Sequence, residues 1–337
     1  MSDVEPEPPE ARLLKLIGGY RVTQALYVRT KLGIPDSLSG GPKDAIRLAE
    51  EVGAQPDRLY RLLRALASLD VLTMDERARF GLTDTGRLLV SDPKGSMALT
   101  SIFAGEEPYR AWGGLMHSVR TGETAFDHVF GMGHFDFLAQ HPSAAATFNK
   151  LMAWSVGIAG DPLEGYDLGR HGTLVDVGGG KGALISSVLR AHPRPRGILF
   201  DQPSAVVEAP ALLQSSGVAD RCEIRTGSAF DSVPSGGDVY VLSRVLHDWS
   251  GEKALRLLVN CRRAMSKGCA LLIIDGVLRE GDLSPSRLWL DLVMMVMTGG
   301  HERAEAEWVA LLEKSRFSII AIRASRPNQD LIEARAI

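Results

Sequence analysis

Three consecutive glycines after an apolar run are the residues of this chain whose arrangement most clearly suggests chemistry. Residues 174–177 form a short, mostly apolar run with two β-branched residues, as expected of a buried parallel strand. Residues 178–180 are the glycines, and a helical pattern begins at Ala183. A strand that turns into a helix in this way presents free backbone N–H groups, and glycine lets a ligand approach them. The turn therefore predicts a binding site for a nucleotide-like cofactor.

An acidic residue follows the next strand-like run. Asp201 comes directly after residues 197–200, roughly 20 positions past the glycines, where an acid accepts hydrogen bonds from ribose hydroxyls. Gly178, Gly180 and Ala183 also fit the fingerprint of dinucleotide-binding turns. An NAD-dependent dehydrogenase is therefore an alternative on these residues alone, although the turn follows a long helical region.

His247 is the second candidate for chemistry. It follows the apolar run 239–242, which places it beyond the carboxyl end of a predicted strand, where open α/β sheets bind ligands. The unperturbed pKa of histidine, about 6.5, suits proton abstraction near neutral pH. Asp275, which ends another predicted strand, and Glu302 are acids that can orient the imidazole. The alternatives are a packed or helix-capping histidine and, for Glu302, a surface salt bridge.

The second half of the chain alternates between strand and helix patterns. Such alternation predicts βαβ units and a parallel sheet covered by helices on both faces. The runs 318–324 and 330–334 predict a final hairpin at the sheet edge. The strand-like runs are 174–177, 197–200, 222–225, 239–242 and 270–274, and the helical patterns are 183–190, 205–215, 252–265, 288–297 and 304–314.

The region up to about residue 165 is mostly helical by pattern. Helical spacing at 11–32 and 44–52, a third helix opened by Pro56, and a hairpin of 71–73 with 80–82 together predict a winged helix. A DNA-binding regulator is therefore another alternative, with arginines spaced three apart on the third helix. Neighbouring acids dilute this charge, and a regulator needs no cofactor turn. The arginines are Arg58, Arg61 and Arg64, and the acids are Glu50, Glu51 and Asp57.

Composition limits the class of protein. The 337 residues predict two domains, and the net charge of -3 argues against a nucleic-acid partner. Residues 1–10 predict a disordered tail without the basic and apolar regions of a signal peptide. No apolar run reaches the length of a membrane span, about 18 residues. Cys222, Cys261 and Cys269 lack metal-ligand spacing, so we expect reduced thiols in a cytoplasmic protein without a metal site.

Several motifs in order resemble the small-molecule O-methyltransferases of the plant caffeate and bacterial antibiotic type, which use S-adenosylmethionine. The resemblance covers nearly the whole chain. It implies an α/β fold with a Rossmann-like, mainly parallel seven-stranded sheet at 166–337, preceded at 11–165 by a winged-helix-like dimerisation and substrate-lid domain. The motifs are the segments 175–182, 200–203, 227–231, 246–249 and 299–303.

The resemblance also implies roles for individual residues. His247 would be the general base that deprotonates a hydroxyl of an aromatic secondary metabolite, with Asp275 and Glu302 holding the imidazole. The chain would form homodimers whose N-terminal domains interlock. The implied cofactor-binding residues are Gly178, Gly180, Asp201, Ser228, Ala229, Phe230 and Ser243, and the predicted acceptor-binding residues are Met152, Trp154, Met294 and Met295.

Three positions depart from the plant members. Ser228 stands where they have Asp, Ser243 where they have Lys, and Asp275 where they have Glu. The shorter Asp275 is expected to reach His247 only through water, which leaves Glu302 the firmer partner. N- or C-methylation on the same fold is an alternative to O-methylation.

Overall fold

The computed structural model describes residues 7–92, 96–159, 162–163, 166–168, 172–326 and 328–337. The chain divides into two compact units, Met1–Tyr109 and Arg110–Ile337. The domain boundary expected at residue 165 lies outside the described residues, and the helices between 110 and 159 group with the second unit. The first helix begins at Pro9, inside the predicted tail, because proline suits the first helical position. Residues 1–6 of that tail are also outside the described residues.

The first unit contains short helices and a small antiparallel sheet, with strand order β1-β3-β2. The predicted hairpin is confirmed by the pairing of Leu72 with Leu82. The pattern at 11–32, in contrast, forms two helices, since the first one ends at Gly18. The elements are α1 Pro9–Ile17, α2 Gly19–Lys31, α3 Ile34–Ser37, β1 Lys43–Asp44, α4 Ala45–Val52, α5 Pro56–Ala67, β2 Leu72–Met74, β3 Arg79–Leu82, α6 Asp84–Arg87 and α7 Met97–Gly105.

Local signals in the sequence set the ends of α4. The Asp44 side chain accepts a hydrogen bond from the Arg47 N–H, and Gly53 ends the helix with a φ of 68°. On α5, Leu59, Leu63 and Leu66 are buried as the leucine spacing predicted. These helices and the hairpin form the winged-helix arrangement.

The second unit begins within α8, because the boundary after Tyr109 falls inside this helix. Its elements confirm the predicted alternation of strands and helices, although the helix expected from residue 205 begins at Ala209, after a series of turns. The elements are α8 Glu107–Trp112, α9 Leu115–Thr121, α10 Ala125–Phe130, α11 His134–Gln140, α12 Pro142–Ala159, β4 Thr173–Val177, α13 Ala183–Ala191, β5 Arg196–Asp201, α14 Ala209–Ser215, β6 Cys222–Thr226, β7 Val239–Ser243, α15 Gly251–Ala264, β8 Ala270–Asp275, β9 Val277–Leu278, α16 Pro285–Met297, β10 Arg303–Ala304, α17 Glu305–Lys314, β11 Phe317–Arg326 and β12 Gln329–Ala336.

A seven-stranded sheet with the order β11-β12-β8-β7-β4-β5-β6 forms the centre of this unit. The five strands from β4 to β8 are parallel to one another. The final hairpin, β11 with β12, adds two antiparallel strands beside β8, as expected. The predicted α/β fold with a mainly parallel sheet is therefore confirmed.

Helices cover both faces of the sheet because its strands are apolar on both sides. Val175 and Val177 pack on one face with Leu257 of α15. Leu174 packs on the other face with Val188 of α13. A strand buried on both faces reads as a nearly continuous apolar run, which is why these strands were visible in the sequence.

The strand order reverses between β4 and β7. From β4 the chain continues to β5 and β6 on one side and then returns to β7 on the other. Open α/β sheets bind ligands in the crevice at such a switch point, beyond the carboxyl ends of the strands. In the described part of the chain, no helix is long and apolar enough to cross a membrane.

Candidate active site

The glycine turn after β4 has a backbone that only glycine adopts without strain. Gly178, Gly180 and Gly182 have φ angles of 74°, 56° and 82°. A Cβ atom at Gly178 would lie 2.8 Å from a methyl group of Val245, so the turn packs against the segment after β7. A Cβ atom at Gly180 would meet nothing within 4 Å. The turn thus presents bare backbone to open space at Gly180.

Asp201 lies beside this open backbone. Its carboxylate accepts hydrogen bonds from the N–H groups of Gly180, at 2.7 Å, and Gln202, at 2.6 Å. Burial raises the pKa of Asp201, and the two backbone hydrogen bonds oppose the rise. A carboxylate has about four acceptor sites, so Asp201 can also accept from two ribose hydroxyls. The open turn and the buried acid fit a nucleoside cofactor.

Asp176 is a buried acid of β4 that sequence reasoning did not single out. It is 1% exposed, and its Oδ2 has no hydrogen-bond partner within the described residues. Burial, with the nearby charge of Asp201, raises the pKa of Asp176 to about 7. A charged residue inside an otherwise apolar strand was the signal that could have identified it.

The loop after β6 contains three of the implied cofactor-binding residues, Ser228, Ala229 and Phe230. The Ser228 hydroxyl accepts a hydrogen bond from the Phe230 N–H at 3.2 Å, and Asn260 donates to the Ala229 carbonyl at 2.9 Å. The Phe230 ring meets the Trp249 ring edge-on, with centroids 4.7 Å apart. These contacts fix the loop at the same sheet edge as the glycine turn.

His247 lies in a 3-10 turn, Leu246–Asp248, just after β7. It is 7% exposed. Its Nδ1 is 2.6 Å from the Glu302 carboxylate, and its Nε2 makes no hydrogen bond within the described residues. A carboxylate that accepts from Nδ1–H fixes the tautomer in which Nε2 can take a proton. This arrangement leaves Nε2 able to accept a proton from a neighbouring group.

Three acids surround the imidazole. Burial by itself lowers the pKa of His247, but the charges of Asp275, Glu302 and Asp248 outweigh it and raise the pKa to about 9. The carboxylate of Asp248 is 4.0 Å from Nε2. The cluster therefore makes His247 a stronger base than a free imidazole, with its neutral form dominant only at alkaline pH.

Asp275 is too far from the imidazole for a hydrogen bond. Its Oδ1 is 3.9 Å from Nδ1 of His247 and has no hydrogen-bond partner among the described residues. Its Oδ2 accepts from the Leu246 N–H at 3.2 Å. Burial raises the pKa of Asp275 to about 7, against the opposing charge of His247. Asp275 thus holds the backbone of the turn, and Glu302 bonds the imidazole.

Two glycines leave the space that the Glu302 side chain and the His247 backbone occupy. A Cβ atom at Gly276 would lie 1.9 Å from Oε2 of Glu302, and one at Gly300 would lie 1.9 Å from the His247 carbonyl oxygen. No real Cβ atom approaches so closely. Gly300 is visible in the sequence only as part of the segment 299–303, and Gly276 belongs to none of the motifs.

We expect Gly276→Ala to lower kcat by about 10–100-fold, because the new methyl group must displace Glu302 from the imidazole and small misplacements are costly. Overpacking should also reduce stability by about 1–3 kcal/mol. Gly251→Ala is the matched control, since a Cβ atom there meets nothing within 4 Å. Steady-state kinetics on both variants test this. A Gly276→Ala variant as fast as the control would show that the bond between Glu302 and His247 is dispensable.

Arg244 connects the end of β7 to α12. It has a left-handed backbone, with a φ of 55°. Its guanidinium donates to the Ser155 hydroxyl at 2.9 Å and to the Met152 carbonyl at 3.3 Å. Ser243, the predicted cofactor contact, is the half-buried residue before it. No sequence pattern singles out Arg244, because its partners are distant in the chain.

The predicted acceptor-binding residues lie on α12 and α16. Met152 belongs to the helix segment bound by Arg244. Trp154 and Met295 are half-buried, and Met294 is 8% exposed. Their contact with an acceptor stays a prediction. Over the residues that the structure describes, no group of three or more His, Cys, Asp or Glu side chains is placed to hold a metal ion.

Two family models match the chain. An O-methyltransferase dimerisation domain covers residues 14–92, and an O-methyltransferase domain covers residues 112–318. The chain is 42% identical to a phenazine O-methyltransferase of Lysobacter antibioticus, over 98% of this chain and 97% of that protein. It is 37% identical to an 8-amino-8-demethylriboflavin N,N-dimethyltransferase of Streptomyces davaonensis, over 98% and 99% of the two chains.

A solved structure agrees with the same family. An O-methyltransferase of neocarzinostatin biosynthesis, in complex with S-adenosylmethionine and 2-hydroxy-5-methyl naphthoic acid, superimposes with a TM-score of 0.85 at 30% identity, over 94% of this chain and 96% of that one. The dehydrogenase and DNA-binding regulator alternatives have no such support. The chain belongs to the O-methyltransferase family, and it is an S-adenosylmethionine-dependent methyltransferase.

Proposed function

We propose that this enzyme methylates a hydroxyl group of a flat aromatic secondary metabolite, with His247 as the general base. The observation that carries the proposal is the buried imidazole, 2.6 Å from Glu302 through Nδ1. Its Nε2 is left for the acceptor, at the sheet edge that carries the glycine turn. Bound S-adenosylmethionine supplies an electrophilic methyl group on a sulfonium leaving group.

The residues of this chain hold the cofactor, align the acceptor with the methyl group and remove the proton from the acceptor hydroxyl. Asp201 and the backbone at Gly178–Gly180 hold the nucleoside, and the loop at Ser228, Ala229 and Phe230 flanks its adenine ring. Nε2 of His247 takes the hydroxyl proton as the acceptor oxygen bonds to the methyl carbon and the carbon–sulfur bond breaks. The products are the methyl ether, S-adenosylhomocysteine and a protonated imidazole.

Alignment contributes more to the rate than the base does. Holding two reactants in line can supply about 7–11 kcal/mol of the barrier. A general base typically adds about 10²–10⁴-fold, which is roughly 3–5 kcal/mol. A phenol, with a pKa near 10, is mostly protonated at neutral pH, so the base still contributes.

Similarity to known enzymes supports an aromatic acceptor. One relative is a phenazine O-methyltransferase, and the solved structure of another related enzyme holds a naphthoic acid. Met152, Trp154, Met294 and Met295 supply the apolar, deformable side chains that suit a flat ring. N-methylation is the second candidate, because one relative at 37% identity is an N,N-dimethyltransferase.

A matched panel of acceptors distinguishes the two functions. Pairs of phenazines, naphthoates and benzoates that differ only in carrying a hydroxyl or an amino group are incubated with the enzyme and methyl-deuterated S-adenosylmethionine. Mass spectrometry detects transfer, and NMR assigns the methyl group to oxygen or nitrogen. We expect methyl ethers from the hydroxyl members. Products methylated only on nitrogen, or transfer only to small charged acceptors, would contradict the proposal.

We also propose that the enzyme is a homodimer formed through its N-terminal unit. The dimerisation-domain match covers residues 14–92. Helix α1 supports this, because it exposes a cluster of large apolar side chains that a folded monomer would otherwise leave in water. These residues are Leu13, Leu14, Leu16 and Ile17, each between 57% and 69% exposed.

A further inference from the structure

Arg303 grips the turn that carries His247. Its side chain donates to the carbonyl oxygens of Leu246, at 2.7 Å, and Trp249, at 2.6 Å. These two carbonyls lie on either side of His247 in sequence. Arg303 is 2% exposed, so water does not compete for these bonds. A single buried guanidinium thus fixes both ends of the turn.

Contacts on several sides hold the segment that carries Arg303. Strand β10 pairs with β9, which places Arg303 opposite Val277. The guanidinium lies 5.4 Å from the ring centre of Trp308, and the Trp308 indole donates to the Gly276 carbonyl at 3.2 Å. The backbone N–H of Glu302, the preceding residue, donates to Asp291 at 2.8 Å. One supported segment therefore carries both the acid that bonds the imidazole and the cation that holds its backbone.

The charge of Arg303 is not used in an ion pair. Within the described residues, no carboxylate lies within 4.0 Å of its side chain. A buried cation that bonds only neutral carbonyls is costly for stability alone. Its charge does face the buried acids around the imidazole. The charged and titratable groups that surround His247 are Asp248, Asp275, Glu302, Arg244 and Arg303.

We propose that Arg303 is a positioning residue for methyl transfer, which holds the Leu246 and Trp249 carbonyls and so keeps the His247 imidazole aligned between Glu302 and the acceptor. The proposal rests on His247 being the base. Arg303 acts through the turn and does not touch the acceptor. Its charge also partly balances the acids that raise the basicity of the imidazole.

Two variants separate geometry from charge. Arg303→Met keeps an unbranched apolar stem but loses both hydrogen bonds and the charge. Arg303→Lys keeps the charge, but a single ammonium group cannot reproduce the guanidinium fork. We expect Arg303→Met to lower kcat by about 10–100-fold, as misplacement of a catalytic group does, with an unchanged dissociation constant for S-adenosylmethionine. Arg303→Lys should lower kcat less.

The pH profile provides a readout that a merely structural role would not move. The Arg303 charge lowers the pKa of Asp275, and Asp275 is the acid whose charge most raises the pKa of His247, so the acidic limb of the kcat profile should move in Arg303→Met and stay in place in Arg303→Lys. Arg221→Met is the matched control. Arg221 also binds only backbone carbonyls, those of Leu189, His192, Pro193 and Pro195. It precedes β6 and therefore lies at the amino ends of the parallel strands, away from His247. It should lower stability and leave kcat and the limb unchanged.

A double-mutant cycle with His247→Ala completes the test. If Arg303 acts through the imidazole, Arg303→Met should add little to the loss in His247→Ala. A full additive loss, or wild-type turnover in a folded Arg303→Met enzyme, would overturn the proposal. Should Arg303→Met not fold, the same cycle with Arg303→Lys decides, and full additivity there has the same meaning. Wild-type turnover in His247→Ala alone would instead remove the base assignment, which is a separate failure.

Discussion

Replacing His247 with alanine should lower kcat for methyl transfer by about 10²–10⁴-fold, the usual contribution of a general base. The affinity for S-adenosylmethionine should not change, because the imidazole bonds Glu302 and not the predicted cofactor residues. The activity that remains comes from alignment of the two reactants, which the variant keeps. Single-turnover rates measure the chemical step, and calorimetry measures cofactor binding.

The pH dependence identifies the same group independently. Only the neutral imidazole accepts a proton, and the surrounding acids raise the pKa of His247 to about 9. The wild-type rate should therefore fall about tenfold for each pH unit below 9 and level off above it. His247→Ala should lose this limb and follow the ionisation of the acceptor hydroxyl instead.

His192→Ala is the control for the histidine substitution. His192 ends α13 at the amino edge of the sheet, away from the proposed acceptor site. It should keep both the rate and the pH limb of the wild-type enzyme. The base assignment fails if His247→Ala turns over as fast as this control, or if it retains the fall in rate below pH 9.

Replacing Asp201 with alanine should weaken the binding of S-adenosylmethionine by about 10²–10⁴-fold. A hydrogen bond to a charged group contributes about 1.5–3 kcal/mol, and two ribose hydroxyls would lose their acceptor. The variant also loses the bond from the Gly180 N–H, so the open glycine turn becomes less well fixed. Because S-adenosylmethionine is held before the chemical step, kcat at saturating cofactor should fall far less than affinity. Titration calorimetry and kinetics at varied cofactor concentration separate the two effects.

Asp238 offers a matched control for Asp201. Its carboxylate also accepts from two backbone N–H groups, those of Gly172 and Thr173, both at 2.8 Å. It precedes β7, however, and so lies at the amino ends of the parallel strands, away from the glycine turn. Asp238→Ala should lower stability without a change in cofactor affinity. Equal affinities for Asp201→Ala and Asp238→Ala would exclude Asp201 from the ribose site.

Elements with strong local signals were predicted closely from the sequence. The strand predicted at 222–225 extends over Cys222–Thr226, and the helix predicted at 183–190 extends over Ala183–Ala191. Both are apolar on the faces that the sheet and its helices bury, so periodicity alone specifies them. The division at Gly18 and the late start of α14 at Ala209 were missed, because element ends depend on capping and turns more than on periodicity.

Candidate catalytic and binding residues could be predicted from the sequence where a polar residue directly follows a predicted strand. His247 and Asp201 each follow an apolar run, and parallel strands place such residues at one edge. Arg303 and Gly276 gave no comparable signal. Their importance depends on contacts between residues far apart in the chain. Arg303 bonds the Leu246 carbonyl, 57 residues away, and Gly276 leaves space for the carboxylate of Glu302, which lies in a different segment.

The sequence alone thus determined the order of strands and helices, the glycine turn and the presence of an imidazole beyond β7, because local periodicity and side-chain chemistry specify these features. Only the tertiary structure decided which acid bonds the imidazole. Glu302 reaches Nδ1 while Asp275 stops at 3.9 Å and bonds the turn. That choice depends on the pairing of β9 with β10 and on the space left by Gly276, and distances of this size are set by packing between segments far apart in the chain.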